Sequence, residues 1–206
     1  MLETALAFGA DAVYAGQPCY SLRVRNNSFR DEQALGVGID YAHSRGKKFY
    51  VVSNISPHNS KLKTYLADMA PVIALKPDAL IMADPGLIDT IRETWPEMPI
   101  HLSVQANTVN YAAVRFWKKL GIQRVILSRE LSLDQVAEIR QECPDIELEV
   151  FVHGALYIFL CRPAMKARLW HGLLTQKPRS LSRTNLAQAR ECAQALVQQG
   201  TDKSSL

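Results

Sequence analysis

Residues 146 to 153 read Ile-Glu-Leu-Glu-Val-Phe-Val-His, and their alternation decides the architecture. Successive side chains of a strand point to opposite faces. Ile146, Leu148, Val150 and Val152 therefore share one face, and Glu147, Glu149, Phe151 and His153 the other. His101, Ser103 and Gln105 likewise share a face opposite Leu102 and Val104. A doubly wound sheet is covered by helices on both sides and needs apolar residues on both faces. A closed barrel carries its helices outside, and its lumen can hold a polar layer near the top. The pattern predicts a barrel, with Ile146, Leu148, Val150 and Val152 against helices and the other four side chains turned inward.

Outward from this stretch, one unit recurs six times: a short aliphatic or β-branched run, a polar or glycine turn, then a segment of helical period. Strands are predicted at Ala12 to Ala15, Phe49 to Ile55, Ala79 to Met82, Ile100 to Gln105, Arg124 to Ser128 and Ile146 to His153. Helices fit at about 31–45, 59–70, 85–95, 109–120 and 132–142. Ser132 with Gln135 makes a capping box, Gly46 and Gly121 stand where helices stop, and Pro96 and Pro144 block continuation. Strands alternating with helices pair in parallel through right-handed crossovers. The predicted fold class is α/β, an incomplete (β/α)8 barrel of about six parallel strands followed by a poorly defined C-terminal tail.

The chain has 206 residues, 48% hydrophobic and 21% charged, enough for one sizeable core. The apolar stretch Ala155 to Cys161 is far shorter than the roughly 20 residues of a membrane helix. No membrane partner and a cytoplasmic location are expected. Of the 24 basic and 20 acidic residues, eight and two fall after Leu156, leaving 16 against 18 before it. Such asymmetry marks a nucleic-acid-binding arm or a segment foreign to its domain, and the absence of a block of like charges favours the second. The expected organisation is a partial barrel over residues 1–156 and an unrelated basic tail over 157–206, one that a shift of reading frame would produce. An amphipathic helix fits at 185–199.

In barrel enzymes the working groups lie at C-terminal strand ends and the loops that follow. Those positions hold Gly16, Gln17, Asn54, Asp84, Gln105, Asn107, Ser128, Arg129, Glu130 and His153. Each has a bland reading: Asn54 and Asp84 as helix caps, Arg129 as an ion-pair partner of Glu130 or Glu149. Their convergence on one rim makes Asn54, Gln105, Asn107, Arg129 and Glu130 candidate substrate-binding residues. Arg23 and Arg25, in the loop after the first strand, join them, because guanidinium forks suit carboxylate or phosphate. Glu147 and Glu149, about 7 Å apart along the strand, have Arg124, Arg129 and His101 as available partners. Glu149 with His153 is a candidate acid–base pair, with a structural ion-pair network as the alternative. The four cysteines (Cys19, Cys143, Cys161, Cys192) are dispersed and the histidines lack ligand spacing, so no metal site is predicted.

Several motifs carry a family resemblance: Gly-Ala-Asp-Ala-Val-Tyr-Ala-Gly (9–16), Tyr-Ser-Leu-Arg-Val-Arg-Asn-Asn (20–27), Ala-Leu-Ile-Met-Ala-Asp-Pro-Gly (79–86), His-Leu-Ser-Val-Gln-Ala-Asn (101–107) and Ile-Leu-Ser-Arg-Glu-Leu-Ser (126–132). Over residues 5–156 the chain resembles the peptidase U32 family. Glu149, Phe151, Gly154, Ala155 and Leu156 match the first half of its signature, whereas Tyr157 stands where the first signature cysteine belongs. The resemblance implies a (β/α)8 barrel that in family members starts one strand earlier and runs well past Leu156. It is nearest to the branch that hydroxylates wobble uridine in tRNA with prephenate. It thereby implies tRNA as partner, prephenate as a small carboxylate substrate, and an iron–sulfur cluster on downstream cysteines of the intact protein. The expectation for this chain is an inactive fragment of such an enzyme, without a cofactor. A U32-type peptidase and a non-catalytic fragment that binds a small acid are the alternatives.

Overall fold

The computed structural model describes residues 2–17, 19–22 and 29–152. Arg23, Arg25, His153 and the helix expected at 185–199 lie outside them. The sheet lies within one compact unit, Met1–Val150.

Six parallel strands form that sheet: β1 (Ala12–Gly16), β2 (Lys48–Ser53), β3 (Ala79–Met82), β4 (Ile100–Leu102), β5 (Arg124–Ile126) and β6 (Glu147–Glu149). Their spatial order is β1-β2-β3-β4-β5-β6, all pairs parallel. A doubly wound sheet reverses its strand order at a switch point; this order never reverses, which is barrel winding. The helices are α1 (Leu2–Ala7), α2 (Glu32–His43), α3 (Asn59–Ala74), α4 (Pro85–Thr94), α5 (Tyr111–Lys119) and α6 (Leu133–Glu142).

The helix starts follow the expected chemistry. Asp31, Asp84 and Asn110 accept the backbone N–H three residues on, and Ser132 and Gln135 form the reciprocal capping box. Gly46 and Gly121 take the positive φ values that favour glycine, 66° and 77°. Helix α3 runs four residues past its expected end, through Pro71. The last turn carries Val72, fully buried, so core packing outweighs the missing hydrogen bond there.

One face of the sheet packs on the helices. Phe49, Val51, Leu80, Met82, Ile100, Leu102, Val125, Leu127 and Ile146 belong to a single core cluster, with Leu148 against it. At Gly38 of α2 an added Cβ would stand 2.5 Å from the Phe29 ring and 3.3 Å from Phe49, so a side chain there would push α2 off the sheet. The inward and outward assignment of the sixth strand holds at Ile146 and Leu148 and fails beyond them. Val150 and Val152 are 38% and 66% exposed. Pairing with β5 ends at Ile126 and Glu149, so these two valines lie past the ladder that would hold them against a helix.

Candidate functional site

The opposite face is the lumen side, and it carries two polar layers at different heights. The lower one lies at the strand starts. Arg124, the first residue of β5, is in register with His101 and Glu147. Its guanidinium bonds Glu147 Oε2 through Nε at 2.7 Å and through Nη2 at 2.6 Å. Nη1 reaches Glu149 Oε2 at 3.5 Å and donates to the Tyr50 hydroxyl at 3.3 Å. The Tyr50 ring meets His101 edge to face, 4.7 Å between centroids. Bonding to Arg124 holds the Glu147 carboxyl below its ordinary range. His101 goes the other way for a cation: burial, reinforced by the Arg124 charge, lowers it to about 4, so the imidazole is neutral at pH 7.

This is the ion-pair network set out as the alternative for the two glutamates. Glu149 is the last residue of β6, opposite Ile126, so the network reaches from the strand starts to the C-terminal end, where barrel catalysis sits. Tyr50 completes the cluster and was not among the residues singled out from sequence. Its place on the same period-2 face as Lys48, Val52 and Asn54 was the available signal.

The upper layer lies where the strands end. Gln17 is buried and its Oε1 accepts the N–H groups of Cys19 and Tyr20 at 3.0 and 2.8 Å, closing the turn after β1. On the helix side of the same turn, Tyr20, 1% exposed, stacks edge to face on Tyr65 and donates to Asp68 at 2.6 Å. Tyr65 in turn shares a hydrogen bond with Ser53, and burial pushes its hydroxyl up to about 12. Asn54 accepts from Leu22 N at 3.3 Å and donates to Ser103 Oγ at 3.2 Å. Ser103 ends β4 in a 3-10 turn, Val104–Ala106, by accepting Gln105 N–H at 3.4 Å. Two residues on, Asn107 is exposed in the left-handed conformation, φ 51°. Thr108 O accepts Ser128 N–H at 3.1 Å, which ties this turn to the end of β5 beside half-buried Arg129 and exposed Glu130.

The structure thus links Asn54, Ser103 and Gln105 directly, and Thr108 with Ser128 nearby along the chain. Asp84 caps α4 through Leu87 N–H, as its bland reading held. Asn54 caps nothing, since α3 starts after His58 without a side-chain cap. The rim is polar, with Arg129 and Lys61 among its described cations and Asp84 and Glu130 among its carboxylates; its amide and guanidinium donors can orient a small anion.

Described residues do not fit an iron–sulfur cluster. Cys19 is exposed after β1, whereas Cys143 is buried at the end of α6 with its thiol on Tyr111 O at 3.6 Å. Among the described residues no group of three or more His, Cys, Asp or Glu side chains could hold a metal ion. Cys161 and Cys192 lie outside them. No described helix is long and apolar enough to cross a membrane.

This winding and this rim place the chain among the (β/α) barrels, and comparison with known proteins makes the assignment specific. The family model for peptidase family U32 matches residues 1–194, and the chain belongs to that family. It is 70% identical over 155 residues to the tRNA hydroxylation protein P of Haemophilus influenzae and 66% identical over 155 residues to the protein of that name from Escherichia coli. Each match covers 75% of this chain and 34% of the relative, so the chain spans about a third of the length of these curated relatives. Among solved structures, the U32 peptidase Mk0906 superposes with a TM-score of 0.59 at 18% identity, covering 72% of this chain and 63% of that one. That likeness supports the fold.

Proposed function

We propose that this chain carries barrel strands of a tRNA-hydroxylating U32 protein, that its rim serves the small carboxylate substrate prephenate, and that the chain does not hydroxylate wobble uridine by itself. The observation that supports this reading is the 66–70% identity to proteins named for tRNA hydroxylation, over the segment that builds the sheet and its rim. In this reading Gln105, Asn107, Arg129 and Glu130, with Arg23 and Arg25, bind the substrate, and tRNA is the macromolecular partner. Glu149 and His153 form the acid–base pair.

The test uses cells deleted for their own relative and nucleoside mass spectrometry of tRNA. Expression of this chain should restore no 5-hydroxyuridine. Residues 5–156 exchanged into the intact relative should restore it to at least half the parental level. Restoration by the chain alone would overturn the inactivity, and failure of a folded chimera would overturn the assignment. In the chimera, Glu149→Gln should lower hydroxylation at least a hundredfold with an unchanged Tm. A lower Tm with full hydroxylation would leave Glu149 to the ion-pair network.

The cluster is tested separately. Anaerobic reconstitution of this chain with iron and sulfide should leave less than about a tenth of an iron per chain after desalting, since cluster ligation needs several grouped thiolates. A stoichiometric cluster with thiolate charge-transfer absorption would refute that.

The peptidase reading has the family's name behind it, and a peptidase needs an activated nucleophile or a metal-bound water. Among the described residues the Ser103 hydroxyl is engaged by Asn54 and Gln105, and Glu147 and Glu149 bond Arg124. Neither arrangement couples a base to a nucleophile. Cleavage of casein or gelatin by this chain would reverse the order of the two readings.

A further inference from the structure

Three strands meet at Asn54. Continuing the registers Ser53↔Met82 and Met82↔Leu102 by one residue puts Asn54, Ala83 and Ser103 in one row, with Ala83 in the middle. The Asn54 carboxamide crosses the central strand to reach Ser103 Oγ. Neighbouring strands stand about 4.8 Å apart, so the two outer Cα atoms are about 10 Å from each other. Two short side chains close such a gap only if the residue between them does not rise from the sheet. That residue is alanine, 9% exposed, and Ser103 is 3% exposed.

The orientation of the carboxamide is determined. A backbone N–H can only donate, so the Asn54 oxygen must face Leu22 N and the amide nitrogen must face Ser103. Leu22 belongs to the short segment Cys19–Leu22, which Tyr20 pins to α3 through Asp68 and Tyr65. Backbone Ile55 N–H adds a bond to Tyr20 O at 3.2 Å. The segment is therefore held from the helix side by Tyr20 and from the lumen side by Asn54.

We infer that Asn54 is a positioning residue, with Ala83 as its clearance, and that it locks the loop after β1 to the turn after β4 instead of touching the ligand. This rests on the reading of the rim as the substrate site. There the lock sets the position of Leu22 relative to the turn that carries Gln105 and Asn107.

The test is amide hydrogen exchange of the full chain by NMR, with no RNA or substrate present. Asn54→Ala and Ala83→Leu should each speed exchange at Leu22 at least tenfold and leave Val51 and Leu80 in the sheet unchanged. Asn54→Asp keeps an acceptor for Leu22 and removes the donor to Ser103, so protection at Leu22 should return to within about threefold of the parent. A merely packed asparagine would give no such split. Unchanged exchange at Leu22 in Asn54→Ala, or Asn54→Asp as fast as Asn54→Ala, would overturn the inference; Asn54→Ala decides the matter alone if Ala83→Leu fails to fold. The hydroxylation reading can fail with the lock intact, and the lock can fail with hydroxylation intact, since the two readouts share no reagent.

Discussion

Leu80→Asp is expected to leave no folded protein at 25 °C. Leu80 is fully buried in β3, between β2 and β4, in the cluster with Val51 and Ile100. A carboxylate there would have no cation and no donor, and burying it unpaired costs at least about 4 kcal/mol, a large part of the 5–15 kcal/mol of a typical domain. The companion variant is Val150→Asp. On the alternation pattern alone it should do equal damage, but Val150 is 38% exposed, so the expected cost is under about 1 kcal/mol. Urea unfolding followed by circular dichroism checks both, and equal damage from the two would show that the outer half of the sixth strand is packed after all.

Acidification should destabilise the fold in a window set by His101. The imidazole is 5% exposed, its Nδ1 is buried without a hydrogen-bond partner among the described residues, and it faces Tyr50, Arg124, Glu147 and Lys48. Above pH 6.5 it is neutral in folded and unfolded chains alike. Between 6.5 and about 4 the unfolded chain takes up a proton that the folded chain refuses, so stability falls as pH falls, by up to about 3 kcal/mol across the window. Glu147, also lowered, loses its Arg124 bond as pH drops through its folded pKa, in the same direction; the pair is exposed enough that this adds little. His101→Phe keeps the ring against Tyr50 and removes the proton site. Urea midpoints at pH 7, 5.5 and 4.5 should drop steeply for the parent and much less for the variant; parallel curves would assign the acid sensitivity elsewhere.

Much of the architecture was legible because it is written in local periodicity. The alternation at 146–149, the Ser132–Gln135 box and the glycine stops each report on a few neighbouring residues, and each is where the sequence placed it. Strand lengths were not legible. Four of the six strands end before their apolar pattern does, and at β4 the reason is a competing local bond, Ser103 Oγ to Gln105 N–H, which turns the chain into a 3-10 helix. Helix α1, six residues long, is too short to show a period. For the polar groups, alternation assigned a face but no partner, so the reach of Arg124 from the start of β5 to Glu149 at the end of β6 was not legible. Tyr50 was hidden inside an apolar run. The part played by Asn54 depends on Ala83 and Ser103, which are remote in sequence, and no local pattern reports such a row.

The sequential winding of the sheet also says how the chain can be made. Each described strand pairs with its neighbours in sequence, so no pairing in this sheet waits for a distant described segment. Each βα unit can dock on its predecessor while the next is still being synthesised, and the entropy of closing long loops is never demanded in one step. Each pairing still closes a crossover of 20 to 36 residues, so assembly can run from the N-terminus onward but every step is slower than forming a local turn. A stalled or shortened translation product would then expose one growing strand edge at a time, which makes the newest strand, rather than the finished core, the place where misassociation with another chain begins.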